Sequence, residues 1–282
     1  MSGAARVTPF SLFAPAKVNL ALHVLGRRAD GYHELDSIVA FADVGDWLTF
    51  TPADALTITA GGPFAAALPP ASGNIITRAW SAARSIAQGR GRALPHAAVH
   101  LEKNLPVASG IGGGSANAAA ALKGFLSLAG IEDIDDEITA AGLAIGADVP
   151  VCLAGTACRM QGVGERIRPL AGFRPLAAIL VNPLVEVPTP AVFRGLGLAA
   201  GQSFGTAITD ERDPAGWRND LAPPAIAIAP VIAEVLERLA ATRGVARALM
   251  SGSGATCVAL LSDDTATPDL DPRWWTARTV LT

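Results

Sequence analysis

The sequence predicts an α+β fold, and three observations predict it. Between Ser11 and Leu25 the residues alternate: Val18, Leu20, Leu22 and Val24 fall on one face, and Lys17, Asn19, Ala21 and His23 on the other, the period of a strand. Farther along, apolar stretches carry helix punctuation, with Gly130 after one and Asp135 or Asp136 before the next. The two kinds of stretch then mix without a regular βαβ rhythm.

In order, the first strand runs into RRADGYH (Arg27 to His33), a turn built on Asp30-Gly31. LDSIVAFADV and DWLTFTP read as two further strands with Gly45 between them. Asn74 to Ala87 reads as a helix and Ala97 to Lys103 as a strand. A glycine-rich loop and a helix from about Ser115 to Ala129 follow, then a second helix ending near Gly146. TACRMQGVGERIRPL has the pattern of a hairpin turning at Gly162-Val163-Gly164. LAAILVNP (Leu176 to Pro183) opens a second half, with a helix at Ala229 to Thr242 and a glycine turn in MSGSGATCVALL. No internal repeat or low-complexity linker is present.

A chain of 282 residues can bury a sizeable core, as one large domain or two moderate ones. Hydrophobic residues at 50% and charged ones at 17% exclude a disordered chain. A net charge of −3 leaves no electrostatic footprint for nucleic acid. Basic residues are 19 Arg and 3 Lys, so Lys17, Lys103 and Lys123 each draw notice. Cys152, Cys158 and Cys257 form no CxxC and cannot all pair, which suits a reducing compartment. MSGAARVTPF lacks an apolar signal core, and no apolar run reaches the ~20 residues of a membrane helix. The expectation is a cytoplasmic protein without membrane, nucleic-acid or obligate protein partners.

The most informative stretch is LPVASGIGGGSANAAAALKGF (Leu105 to Phe125). Glycines ahead of a helix let successive amides converge without Cβ obstruction, and the helix dipole adds about half a positive charge. Such a nest suits phosphate; Ser109 and Ser115 add hydroxyl donors, and Ser115 could instead help hold a metal ion. The plain alternative is a flexible loop or a tight crossing, but a linker would not run at once into NAAAAL. A P-loop needs Gly-Lys-Ser/Thr, and no lysine has that context. A dinucleotide GxGxxG fails because Ser115 stands where the third glycine belongs. There is no GxSxG nucleophile turn.

The spacing from Pro106 to Ala116 instead resembles the second motif of the GHMP small-molecule kinases. FAPAKVNLALHVLGRRADGYHELDSIV (Phe13 to Val39) resembles their first motif, in the form found in the branch acting on cytidine-diphosphate-linked methylerythritol. LMSGSGATCVAL resembles the third, and AIGADVPVCLAG and VEVPTPAVF also match that branch. The resemblance implies an N-terminal domain similar to domain 2 of ribosomal protein S5 and a C-terminal ferredoxin-like domain. It places an ATP-binding catalytic domain in residues 1–170 and a domain contributing to substrate binding in 171–282. The implied reaction moves the γ-phosphoryl of ATP, with Mg2+, to the 2-hydroxyl of the methylerythritol in the non-mevalonate route to isoprenoid precursors.

Phosphoryl transfer leaves a protein mostly positioning and charge stabilisation to supply. By the resemblance, Asp148 in GADVP receives the acceptor's proton; alone it would read as a capping or turn residue. Lys17 steers the hydroxyl beside it; the plain reading is an edge-strand lysine whose ammonium reaches water. ATP falls to Lys103, Pro106, Val107, Ala108, Ser109, Gly110, Ile111, Gly112, Gly113, Gly114, Ser115, Ala116 and Asn117. For Lys103 a surface lysine at a strand end is the alternative, and for Asn117 a role in the cap.

Asn19 shares a strand face with Lys17 and could bind the erythritol hydroxyls. Cytosine wants a stacking ring and a polar edge reader. The resemblance puts Tyr32, the chain's one tyrosine, on one face of the base and Phe193 on the other, with His33 hydrogen-bonding the edge. Thr189, between two prolines, faces the same site on a stiff loop. Gly252 and Gly254, with Ser251 and Ser253, pack the third motif against the active site. His96 and His100 are four apart but on a strand, a poor zinc pair, and Cys257 reads as a core thiol. NDLAPPAIAIAP (Asn219 to Pro230) departs from the family's acidic pattern, which leaves Asn219 and Asp220 as helix caps. Rival readings are a GHMP kinase for homoserine, mevalonate or a sugar, and a non-catalytic nucleotide-binding homologue.

Overall fold

The computed structural model describes residues 8–68 and 75–282. Most of the N-terminal stretch weighed against a signal segment, and Asn74 at the expected helix start, lie outside the described residues.

In chain order the elements are β1 (Phe10–Arg27), β2 (His33–Pro52), β3 (Thr57–Gly61), α1 (Ile75–Gly89), β4 (Ala97–Glu102), α2 (Gly113–Leu128), α3 (Asp136–Ile145), α4 (Val149–Ala154), β5 (Cys158–Gly162), β6 (Arg166–Pro169), β7 (Leu176–Asn182), α5 (Thr189–Gly195), α6 (Ala222–Ile228), α7 (Val231–Ala240), β8 (Val245–Met250), β9 (Cys257–Leu261) and β10 (Trp275–Leu281). The predicted strands, hairpin and main helices are present. Asp135 caps α3, its carboxylate accepting from the Ile138 amide at 3.0 Å.

The chain forms two compact units. One gathers residues up to 15, 45–107 and 113–154, and the other 16–44, 108–112 and 155–282. β1 and β2 each run through both units, and the chain passes between them again at the glycine loop.

In the first unit β4 lies between β3, its parallel partner, and the end of β2, its antiparallel one (Trp47↔Glu102 to Pro52↔Ala97). Helix α2 buries 11 of its 16 residues, which is why its front is alanine: small side chains let it sit deep among its neighbours. Gly124 is pressed on the Phe50 ring, which meets Phe125 edge-on and stacks on Phe10.

In the second unit β10 pairs with β7 along its length, from Trp275↔Asn182 to Leu281↔Leu176, and with β2 at Leu281↔Ala42. Beyond β7 come β9 and β8, while β5 joins β2 to β6. Val24, Val181, Val192, Leu221, Ile232, Val235 and Leu239 are among the residues that close its core.

Three expectations change. LDSIVAFADV and DWLTFTP are one strand of 20 residues, not two. A Cβ at Gly45 would overlap the Ala14 carbonyl and the Phe13 ring, so this glycine marks a close backbone approach rather than a turn. Helix α2 begins at Gly113, inside the glycine run. The helix expected at 229–242 is α7, preceded by a separate α6 whose prolines sit in its first turn, where a missing N–H costs nothing.

Candidate active site

The glycine loop leaves β4 through Lys103, Asn104 and Leu105, then Pro106 and Val107. Ala108 at φ 52°, Gly110 at 76° and Gly112 at 64° are all left-handed, a run of turns that aims amides rather than side chains. Gly113 is buried, whereas Gly114 is exposed and nothing lies within 4 Å of the place its Cβ would occupy. Open space at the exposed start of a long helix is what an incoming phosphate needs. Ser115 is half-buried, and Ala116 and Asn117 are buried behind it. The Asn117 Oδ1 has no hydrogen-bond partner, an unmet demand for a donor.

Within the second unit the third glycine motif grips residues 108–112. The Thr256 hydroxyl donates to the Ser109 carbonyl at 2.6 Å, and the Thr256 amide donates to the same oxygen at 3.1 Å. Asn182 Nδ2 donates to that hydroxyl at 2.8 Å. Ser251 Oγ donates to the Gly110 carbonyl and accepts from the Asn19 amide, both at 3.0 Å. A Cβ at Gly110 would lie 2.5 Å from the Gly254 carbonyl oxygen, so the two glycine turns are interlocked.

In the same unit Lys17 is buried on β1, its amide donating to the Ile111 carbonyl at 2.9 Å. Its side chain lies on Gly112, whose Cβ would be 3.0 Å from that of Lys17. The lysine is therefore not a surface residue on a strand edge, and it is packed against the glycine loop. Asp148, in the first unit, is half-buried in the residue before α4 and opens that helix by accepting from the Cys152 amide. Its segment lies near the start of α2, since a Cβ at Gly146 would be 4.0 Å from Ser115 Oγ.

Lys103 is not a surface lysine either. Its side chain is 3% exposed, and Nζ donates to the fully buried Asp46 carboxylate at 2.6 Å. Burial lowers its pKa and Asp46 opposes that shift.

The residues expected around the base lie in the second unit. Asn19 is buried; its Nδ2 donates to Ser37 Oγ at 2.8 Å, while its Oδ1 has no partner. That lone acceptor suits an alcohol's O–H. The His33 and Phe193 rings are 4.7 Å apart, and Tyr32 is 65% exposed. Burial, then the nearby Arg27, lowers the His33 pKa and so favours the neutral ring. Thr189 is the first residue of α5 rather than part of a loop, and its hydroxyl is 2.7 Å from that of Ser253.

Family models for the GHMP kinases N terminal domain and the GHMP kinases C terminal match residues 74–156 and 202–269. A 4-diphosphocytidyl-2-C-methyl-D-erythritol kinase of Dinoroseobacter shibae is 48% identical over 287 residues, which cover 97% of this chain and 95% of that one. This chain belongs to the 4-diphosphocytidyl-2-C-methyl-D-erythritol kinase family of GHMP kinases. A crystal structure of a 4-(cytidine 5'-diphospho)-2C-methyl-D-erythritol kinase superposes with TM-score 0.78 at 32% identity, over 96% of this chain and 99% of that one. The homoserine kinase of Cytophaga hutchinsonii, at 16% identity and TM-score 0.68 over 99% and 98% of the two chains, shares the fold alone.

Several residues of this GHMP kinase escaped the sequence reading. Asp46 opened the stretch read as a second strand and carried no signal of its own. Asn182 ends β7, and Thr256, although inside the third motif, was given no role there. Asn219 does more than head the helix: its Oδ1 accepts from the Leu221 amide at 2.9 Å just before α6, and its Nδ2 donates to the Met250 and Gly252 carbonyls at 2.7 and 2.8 Å, holding the third glycine turn. Asp220 likewise accepts from the Val24 amide and pairs with Arg218. His96 stacks on Trp80 and His100 bonds Thr59, and among the described residues no cluster of His, Cys, Asp or Glu is arranged to hold a metal. Cys257 is a core thiol, its pKa raised by burial.

Proposed function

We propose that the chain transfers the γ-phosphoryl of ATP to the 2-hydroxyl of 4-diphosphocytidyl-2-C-methyl-D-erythritol, giving the 2-phosphate, in the non-mevalonate route to isoprenoid precursors. The observation that carries the reading is the glycine loop. Its left-handed turns are interlocked with a second glycine turn, it is packed by Lys17, and it opens at Gly114 onto the start of α2. The name of a relative at 48% identity supports this acceptor.

In this reading the amides of Gly110 to Ser115 and the N-terminus of α2 bind the phosphates, with Lys103, Pro106 to Ser109, Ala116 and Asn117 shaping the nucleotide's place. Asn19 Oδ1 accepts a hydrogen bond from the erythritol and fixes its orientation. His33 and Phe193 hold the cytosine with Tyr32 and Thr189 beside them. The 2-hydroxyl oxygen attacks the γ-phosphorus, the bond from that phosphorus to the β,γ-bridging oxygen breaks, and ADP leaves with the electron pair. Asp148 takes the hydroxyl proton, and the Lys17 ammonium offsets charge on the reacting oxygens.

The half-buried Ser115 hydroxyl at the start of α2 is the protein group suited to hold a Mg2+ ion brought with the nucleotide, which would supply further charge neutralisation. Residues 1–170 carry the ATP and catalytic groups, and 171–282 contribute to substrate binding. The protein acts in the cytoplasm. Its three cysteines are free thiols, and among the described residues no helix is long and apolar enough to cross a membrane.

The test is a transfer assay with ATP and Mg2+, offering the cytidylylated erythritol against homoserine, mevalonate and a sugar, with the product's phosphate located by phosphorus NMR. Preference for another acceptor would overturn the substrate. ATP binding without transfer to any acceptor would mark a non-catalytic homologue.

A further inference from the structure

Asp46 is fully buried and spends both carboxylate oxygens on the segment that leads into the glycine loop. Oδ1 accepts from the amides of Asn104 at 2.7 Å and Leu105 at 2.9 Å, and Oδ2 accepts from Lys103 Nζ at 2.6 Å. Gly45 lets β2 approach β1 closely just before it, which fixes the backbone from which the carboxylate reaches.

The ammonium it holds touches the start of α2, because a Cβ at Gly113 would be 3.3 Å from Lys103 Nζ. A buried cation beside the positive end of a helix is unfavourable on its own. The arrangement becomes favourable when an anion arrives, and without Asp46 the ammonium would have no buried counter-charge to keep it there.

We propose that Asp46 is a positioning residue for the phosphoryl donor: it fixes Lys103 and the first amides of the glycine loop so that the ammonium stands under the start of α2 when the triphosphate binds. This rests on the reading of the glycine loop as the ATP site. Asp46 touches no substrate in this account; it acts through Lys103. Its effect belongs to the donor and not to the alcohol.

The experiment uses the full chain as wild type, Asp46→Asn, Lys103→Met and the double variant. KM for ATP, KM for the cytidylylated erythritol and kcat are measured for each, with binding of a non-hydrolysable ATP analogue followed by calorimetry. The expected result is a rise of about tenfold or more in the ATP constants of each single variant, with kcat and the alcohol's KM changed by less than about threefold. The double variant should bind ATP no worse than the weaker single one, because both changes remove the same device.

An Asp46→Asn protein with wild-type ATP constants overturns the proposal, as do losses that multiply in the double variant or an equal rise in the alcohol's KM. Should Asp46→Asn not fold, the double variant, which removes both charges together, is compared with Lys103→Met. Equal ATP constants uphold the role and a further loss overturns it. A wild-type chain that does not bind ATP removes the donor-site reading itself, an outcome distinct from an active wild type beside an unaltered Asp46→Asn.

Discussion

The rings of His33 and Phe193 lie 4.7 Å apart, tilted by 33°. In the proposed base site this tilted pair supplies one aromatic face and one polar edge, and the neighbouring Tyr32 is exposed. Phe193→Ala should therefore raise KM for the cytidylyl substrate by roughly tenfold to a hundredfold, the value of one stacking contact. KM for ATP should hardly move. Steady-state kinetics with each substrate varied in turn checks this, and an equal rise in both constants would place Phe193 outside the base site.

Asp148 is assigned the acceptor's proton. Asp148→Asn keeps the shape and removes the base, so turnover should fall by about 10²–10⁴-fold. Substrate affinity should stay within about tenfold, since the change acts only as the proton leaves. Single-turnover rates and equilibrium binding separate the two, and unchanged turnover would take Asp148 out of the mechanism.

Two glycines of the loop should respond in opposite ways. At Gly110 a methyl would sit 2.5 Å from the Gly254 carbonyl at a left-handed φ of 76°, so Gly110→Ala should cost about 2 kcal/mol or more of stability as well as ATP binding. Gly114 has open space and lies in a helix, so Gly114→Ala should keep or raise stability by about 0.5 kcal/mol. Its methyl nonetheless projects where the phosphate approaches, and ATP affinity should drop. Denaturant melts beside ATP titrations give both readings; full affinity in Gly114→Ala would move the phosphate elsewhere.

Asp36 is buried and receives Arg159 Nε and Nη2 at 2.7 and 2.6 Å and the Ile208 amide at 2.8 Å. Burial alone would raise its pKa, but the Arg159 hydrogen bonds and then the Ile208 amide outweigh it and hold the carboxyl below its usual 3.8. With the folded value below the unfolded one, this stabilisation is complete above about pH 4 and disappears as acid protonates the folded protein. Asp36→Asn should cost about 3 kcal/mol at pH 7, because Arg159 loses its buried carboxylate partner and keeps only the Ile208 carbonyl at 2.9 Å and Glu211 at 3.6 Å. It should also flatten the acid limb of the stability curve. Parallel acid limbs in melts from pH 7 to pH 2 would argue that other groups set that dependence.

Local signals made much of this molecule readable. The alternation around Val18 and Leu20 gives β1, Asp30-Gly31 the turn, and Asp135 the cap of α3, because each depends on near neighbours alone. The glycine run marked the left-handed loop and the start of α2 for the same reason. What stayed hidden depends on contacts distant in sequence. Gly45 looks like a break until Phe13 and Ala14 are seen packed on it, and nothing beside Asp46 in the sequence points to Lys103, 57 positions later. Thr57–Gly61 is a mostly exposed edge strand with no alternation to reveal it. Thr256 matters only because Ser109, 147 positions earlier, presents its carbonyl there.

The place of β10 beside β2 and β7 has a consequence for synthesis. Residue 42 leaves the ribosome 239 positions before residue 281, its registered partner. At about 5–20 residues per second that is a wait of roughly 12–48 s. During it Ala42 and the β2 residues beside it wait for their β10 neighbour, so the link from β2 to β7 is made only after the last strand has been synthesised.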